Sequence, residues 1–282
     1  MSWNAAPGDE IVPGRFVTSR LGLALRYETF LVWNERLLSP TVLKLLRPDR
    51  LEDAAARAAM ASEADALARL EHPSFIRIFG RDTDGARPYL ELEYLMGPRL
   101  STLVRRHGVL VPEQLFPLAR QLSSALGYLH DEGFVHLDVK PRNIIMGPVP
   151  RLIDLSVARR ISELGRIRRP IGTAGYMAPE QSDPARFGEI GPASDVWGLG
   201  ATLYEAVSKQ RPFDASNGAD ANGHGPGRRE PFPLPAKVPA SIAEPILASL
   251  SDRPEARPAP RQLFALFDDL ADRHGVAKLR FK

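Results

Sequence analysis

The 282 residues are 44% hydrophobic and 25% charged, the profile of a folded chain with a sizeable core, and no apolar run reaches the roughly 18 residues a membrane helix needs. There is no cysteine, which excludes disulfides, thiolate metal sites and cysteine nucleophiles and fits a reducing, cytoplasmic setting. A net charge of +3 gives little drive toward nucleic acid, and the basicity is local: Arg159, Arg160, Arg166, Arg168 and Arg169 face Glu163 alone between 158 and 170. None of the six histidines forms an i, i+4 pair, so no zinc site is expected. Met1 to Gly8 lacks the basic start and apolar core of a signal peptide.

Residues 1–12 read as a flexible tail. From 13 to 95 the chain reads as a small lobe, with β-prone pieces at 16–25, 29–33 and 41–46 separated by Asn34-Glu35-Arg36 and Ser39-Pro40. The third piece puts Lys44 on the face of Val42 and Leu46, because side chains alternate along a strand. A lysine there is costly unless it is paired or meets an anion; at a sheet edge it would snorkel instead. Residues 51–70 are Ala-rich and free of Gly and Pro, which predicts a helix ended by His72-Pro73. Glu63 lies four residues before Leu67 and shares its face. If that face packs on the sheet, Glu63 is the natural partner of Lys44; otherwise it is solvated. Two more strands are expected at 75–80 and 88–94, joined by Asp82-Thr83-Asp84-Gly85.

Met96-Gly97-Pro98 breaks this pattern. Residues 96–275 read as a larger, mostly helical lobe, and 276–282 as a short tail. Helices are expected at 100–107 and 112–132, the second carrying Leu115, Leu118, Leu122, Ala125, Leu126 and Leu129 at helical spacing. Further helices are expected at 194–207, 241–250 and 261–274, with a Gly/Asn/Asp-rich surface loop at 214–230. The fold class is therefore α+β in two lobes: a small antiparallel sheet with one helix, then a larger helical lobe.

The chemistry concentrates in His136-Leu137-Asp138-Val139-Lys140-Pro141-Arg142-Asn143. A carboxylate can orient an attacking hydroxyl and accept its proton, a lysine can neutralise a phosphoryl group, and an asparagine carbonyl is a hard ligand for Mg²⁺. Asp154 follows the apolar pair Leu152-Ile153. Asp195, inside an apolar helical run, needs partners such as backbone N–H groups of a neighbouring loop.

In order, these pieces resemble the eukaryotic-type (Hanks-type) Ser/Thr protein kinases, more closely their bacterial branch, over about residues 15–273. Thr41-Val42-Leu43-Lys44 is similar to the lysine strand, Glu63 to its helix partner, 136–143 to the catalytic loop, and Asp154-Leu155-Ser156 to the metal motif. Ala178-Pro179-Glu180, Asp195-Val196-Trp197-Gly198 and Arg257 complete the series. The resemblance implies a two-lobed kinase fold and transfer of the ATP γ-phosphoryl group to Ser/Thr hydroxyls of proteins, with ATP and Mg²⁺ as cofactors. It also implies roles. Lys44, held by Glu63, contacts the α- and β-phosphates. Asp138 is the base, and Lys140 stabilises the transferred group. Asn143 and Asp154 bind Mg²⁺. Glu93, Tyr94 and Leu95 hold adenine through backbone groups, with Leu92 as gatekeeper. Asp195 anchors the catalytic loop, and Glu180 pairs with Arg257. His136 is core structure.

Three departures stand out. The glycine-rich loop, at 21–30, keeps only Gly22. Leu137 replaces the arginine that commonly precedes the base, so activity should not require a loop phosphate. Leu155-Ser156 replaces Phe-Gly. The degenerate loop leaves a second class open, a pseudokinase acting as a nucleotide-binding or scaffolding module. The arginine cluster reads either as a solvated loop face or as a dock for an acidic substrate or partner. Thr173 fits the family's substrate-facing threonine, and Ser162 is the candidate phosphosite of the loop.

Overall fold

The computed structural model describes residues 1–213 and 230–276, which form two compact units: Met1–Leu70 with Ile76–Met96, and Glu71–Phe75 with the chain from Gly97 onward. The expected loop at 214–230 falls almost wholly outside the described residues, as does 277–282 of the short tail. Among the described residues no helix is long and apolar enough to cross a membrane.

The first unit is a six-stranded antiparallel sheet with one helix. Its strands are β1 (Glu10–Val12), β2 (Arg15–Leu23), β3 (Tyr27–Asn34), β4 (Ser39–Leu46), β5 (Ile78–Asp82) and β6 (Tyr89–Glu93), ordered β1-β2-β3-β4-β6-β5. Alternation buries Val17, Phe30, Val32, Leu43 and Leu45 in one apolar cluster with Ile11 and Val12. Helix α1 (Ala54–Leu67) is shorter than the Ala-rich run because Asp53 caps it, accepting the Ala56 N–H at 3.0 Å.

The N-terminal residues are not a loose tail. Residues 10–12 pair with β2, and Trp3 packs against the apolar cluster. The Trp3 indole N–H reaches the Leu46 carbonyl at 2.8 Å, while the buried Glu28 carboxylate accepts Ser2 Oγ at 2.6 Å and Trp3 N at 3.0 Å. A buried carboxylate needs donors, and this segment supplies them. A second buried carboxylate, Glu91, accepts from Asn34 at 2.5 Å, Thr41 at 2.8 Å and Arg15 at 2.9 Å. Burial alone would raise its pKa, but these donors hold it below the ordinary value.

The second unit is mostly helical: α2 (Leu100–His107), α3 (Pro112–Asp131), α4 (Pro179–Ser182), α5 (Pro184–Phe187), α6 (Pro192–Ser208), α7 (Ala240–Ser249) and α8 (Pro260–Arg273). Two short hairpin-like pairs join them, β7 (Phe134–Val135) with β10 (Arg159–Arg160), and β8 (Ile144–Ile145) with β9 (Arg151–Leu152). The expected leucine stripe of α3 is buried throughout, and α6 is buried on nearly every side. Gly198 matters in α6: a Cβ there would lie 3.0 Å from both the Val139 side chain and its carbonyl oxygen. The missing side chain lets the loop around Asp138 rest directly on the buried helix.

Candidate active site

In the first unit, β4 carries Lys44 in register with Thr29 and Leu90. Its Nζ donates to both carboxylate oxygens of Glu63, at 2.9 and 2.8 Å, and both residues are buried. Pairing thus answers the cost of a lysine inside an apolar strand, and the Glu63 face of α1 packs on the sheet rather than facing water. The Tyr27 ring lies over the same ammonium, 4.5 Å from Nζ to the centroid. Gly22 sits in β2 opposite Thr29 with open space around it. Glu93 closes β6, its N–H given to the Arg77 carbonyl at 2.9 Å; Tyr94 and Leu95 follow, Tyr94 being exposed. Leu92 is buried in β6 between Val42 and Ile78.

In the second unit, the loop from His136 to Asn143 hangs from α6. Asp195 Oδ2 accepts the His136 N–H at 2.8 Å, Oδ1 accepts the Leu137 N–H at 2.7 Å, and His130 Nε2 lies 2.8 Å from Oδ2. Leu137 adopts a φ of 64°, which is unfavourable for a leucine. Its carbonyl accepts from Gln181 Nε2 at 2.8 Å, fixing the peptide on that side too. His136 is fully buried. Its Nδ1 accepts the Asp138 N–H at 3.2 Å, and burial pushes its pKa down, so it stays neutral and structural.

Asp138 is the centre of a polar cluster. Its Oδ2 takes Lys140 Nζ at 2.5 Å and Asn143 Nδ2 at 3.1 Å, while Oδ1 takes the Thr173 hydroxyl at 2.6 Å. Lys140 Nζ also reaches Thr173 Oγ1 at 2.5 Å. Asn143 turns its amide nitrogen to Asp138, leaving the carbonyl oxygen on the other side. Separately, the Asn143 backbone carbonyl accepts the N–H of Ile153, the residue before Asp154, at 2.8 Å. Asp154 has a φ of 69°, and its Oδ1 accepts the Ser156 N–H at 3.4 Å.

Among the described residues no group of three or more His, Cys, Asp or Glu side chains could hold a metal. Asn143 and Asp154 together offer one carbonyl and one carboxylate. Two hard oxygen donors suit Mg²⁺, which keeps waters and takes substrate phosphate oxygens for the rest of its octahedron.

Glu180 and Arg257 form the expected ion pair, wholly buried and bidentate at 2.6 and 2.9 Å; Ser194 Oγ adds a bond to Glu180 at 2.7 Å. Of the arginine cluster, Arg159 and Arg160 form β10, with Arg160 over the Phe134 ring, whereas Arg166, Arg168 and Arg169 are exposed. Ser162 is exposed in a 3₁₀ turn, Ile161–Arg166. Sequence reasoning missed Tyr27, His130 and Gln181. All three act through partners remote in sequence; Gln181 lies beside Glu180 and Tyr27 within the degenerate glycine-rich loop, but neither motif announces the contact.

Residues 29–266 match the family described as protein kinase domain. The chain is 32% identical over 266 residues to a probable serine/threonine-protein kinase, PkwA, of Thermomonospora curvata, covering 92% of this chain and 34% of that protein. It is 29% identical over 250 residues to the serine/threonine-protein kinase PknB of Mycobacterium tuberculosis (84% and 39%), and 32% over 238 residues to PknA of the same species (80% and 54%). It thus spans between about a third and just over half the length of these relatives. The chain belongs to the protein kinase domain family, in its bacterial eukaryotic-type Ser/Thr branch.

Proposed function

We propose that the chain transfers the γ-phosphoryl group of ATP to Ser/Thr hydroxyls of protein substrates. The carrying observation is the Asp138 cluster. A threonine hydroxyl already donates to Asp138 Oδ1 there, as an acceptor hydroxyl must before it attacks. Asp138 orients that hydroxyl and takes its proton as the new P–O bond forms. Lys140, on the other carboxylate oxygen, is placed to meet the negative charge of the transferred group. Lys44, fixed by Glu63, anchors the α- and β-phosphates, and backbone groups of Glu93 and Leu95, flanking Tyr94, hold adenine, with Gly22 in the strand leading to the nucleotide loop. Asn143 and Asp154 hold Mg²⁺, which supplies charge neutralisation on the phosphate oxygens. A scaffold has no need of this full set, which argues against a pseudokinase.

Activity in this reading does not depend on a phosphate in the loop. Leu137 is buried with Val135, Leu164 and Ile190, and Val157, Ile167 and Ile171 pack against them. Apolar contact to the segment after Asp154 takes the place of a basic pocket for a phosphate. Arg166, Arg168 and Arg169 give the same segment a basic face suited to acidic proteins. A reaction that draws on ATP fits a cytoplasmic setting.

The test is incubation with Mg-ATP and a generic protein substrate, comparing wild type purified after phosphatase co-expression with Asp138→Asn. The expected result is transfer by wild type and a loss of about 10²–10⁴-fold in the variant. Equal transfer by both proteins would mean the base is misassigned, and transfer that appears only after rephosphorylation would sink the phosphate-independent reading.

A further inference from the structure

We propose that Tyr27 is a gate on the phosphate-anchoring lysine, so that nucleotide enters only by displacing its ring. The inference rests on Lys44 being the phosphate contact. Tyr27 opens β3 and pairs with Leu46, whereas Lys44 pairs with Thr29, two residues on along β3 and two back along β4. Residues facing one another across an antiparallel pair share a face, so Tyr27 and Lys44 are diagonal neighbours on one side of the sheet. The ring uses that placement: Nζ lies 4.5 Å from its centroid, and Tyr27 is only 7% exposed. Glu63 holds the ammonium through two oxygens while the aromatic face covers it. A negatively charged phosphate and the electron-rich ring face compete for the same cation.

The ring is held in place by its surroundings. The next residue, Glu28, is fully buried and tied to Ser2 and Trp3, so the start of β3 is fastened to the N-terminal segment. Beyond it, Ala24 N bonds the Tyr27 carbonyl at 2.8 Å, closing the turn between β2 and β3. Swinging the ring away therefore requires side-chain rotation on a fixed backbone, or movement of that turn.

The experiment measures Mg-ATP affinity of wild type, Tyr27→Ala and Tyr27→Phe by competition with a fluorescent ATP analogue, alongside kcat and KM for ATP. Tyr27→Ala should bind about three- to thirtyfold more tightly, with KM falling in parallel and kcat unchanged; the range follows the strength of a cation–π contact between exposed and desolvated limits. Tyr27→Phe should match wild type, because the ring face and not the hydroxyl does the covering. In parallel, mass spectrometry follows acylation of Lys44 by acetic anhydride without nucleotide, in Tyr27→Phe and in Tyr27→Leu, which stays apolar and protects the fold if alanine does not. Faster acylation in Tyr27→Leu alone supports the gate. Unchanged or weaker nucleotide binding in Tyr27→Ala, or equal acylation in Tyr27→Leu and Tyr27→Phe, would overturn the gate while leaving the kinase reading intact. No Mg-ATP binding by any of these proteins would overturn the kinase reading, and the gate with it.

Discussion

Oδ1 of Asp195 accepts the backbone N–H of Leu137 at 2.7 Å, and this bond helps hold a leucine at a φ of 64° directly before Asp138. The left-handed conformation costs about 1–3 kcal/mol for such a residue, so something must enforce it. Asp195 does so from one side and Gln181, bonded to the Leu137 carbonyl, from the other. The position of the base is therefore set by a residue 57 places later in the chain.

Asp195→Ala would leave the His136 and Leu137 N–H groups and His130 Nε2 without their shared acceptor. Removing the charged partner of several buried donors costs about 3–5 kcal/mol. Urea unfolding should show that loss, and the folded fraction should have a lower kcat because the Asp138 loop is no longer anchored. A change below about 1 kcal/mol would show that the loop is held mainly by its other contacts.

Leu164→Ala tests the apolar clasp on Leu137. Leu164 is 6% exposed in the cluster with Val135, Leu137 and Ile190. Its truncation should cost about 2–4 kcal/mol locally. The segment after Asp154 should then open more often, and trypsin should cut sooner after the exposed Arg166 and Arg168. Cleavage at the wild-type rate would mean that this cluster does not hold the segment. Leu137→Arg should be worse still, since it puts an unpaired guanidinium among apolar side chains.

Much of this was legible in the residues because its causes are local or periodic. The stripe of α3, the alternation of β4 and the turn-like break at Met96-Gly97-Pro98 each follow from spacing. The Lys44–Glu63 pair was a conditional expectation: strand and helix periodicity gave the faces, but not whether the faces meet. Residues 1–12 were misread because their support comes from Glu28, a carboxylate whose burial no local pattern announces. Tyr27 was passed over for a related reason. In the sequence Tyr27 is one residue of the degenerate glycine-rich loop, and only the pairing register puts its ring on Lys44.

The buried His136 makes the fold acid-sensitive. Burial lowers its pKa in the folded state, so the native protein binds its proton less readily than the unfolded chain. Where the unfolded state binds more protons, stability rises with pH. The contribution is thus complete above the unfolded value, about 6.5, and is lost as pH falls below it toward the folded pKa, at up to about 1.4 kcal/mol per pH unit. His72, half-buried and shifted the same way, adds to this slope. In His136→Asn the amide oxygen can replace Nδ1 as acceptor for the Asp138 N–H. Chemical denaturation at pH 7, 6 and 5 should therefore give a shallower loss for the variant than for wild type. Parallel slopes would show that His136 is not the group responsible.

Thr173 connects Asp138 and Lys140, donating to the first and accepting from the second. It has two roles to separate: filling the place of a substrate hydroxyl, and steering the lysine. Thr173→Ala removes both bonds to charged groups, which are worth about 1.5–3 kcal/mol each. If Thr173 positions Lys140 during transfer, kcat should fall about ten- to a hundredfold with KM for ATP unchanged. Thr173→Ser keeps the hydroxyl and should restore most of the rate, whereas Thr173→Val, close in shape but without the hydroxyl, should not. If the hydroxyl merely occupies the acceptor position, its loss would free Asp138, and Thr173→Ala and Thr173→Val would both equal or exceed the wild-type kcat. Steady-state kinetics on the four proteins, with circular dichroism confirming that each is folded, distinguishes a positioning threonine from a placeholder.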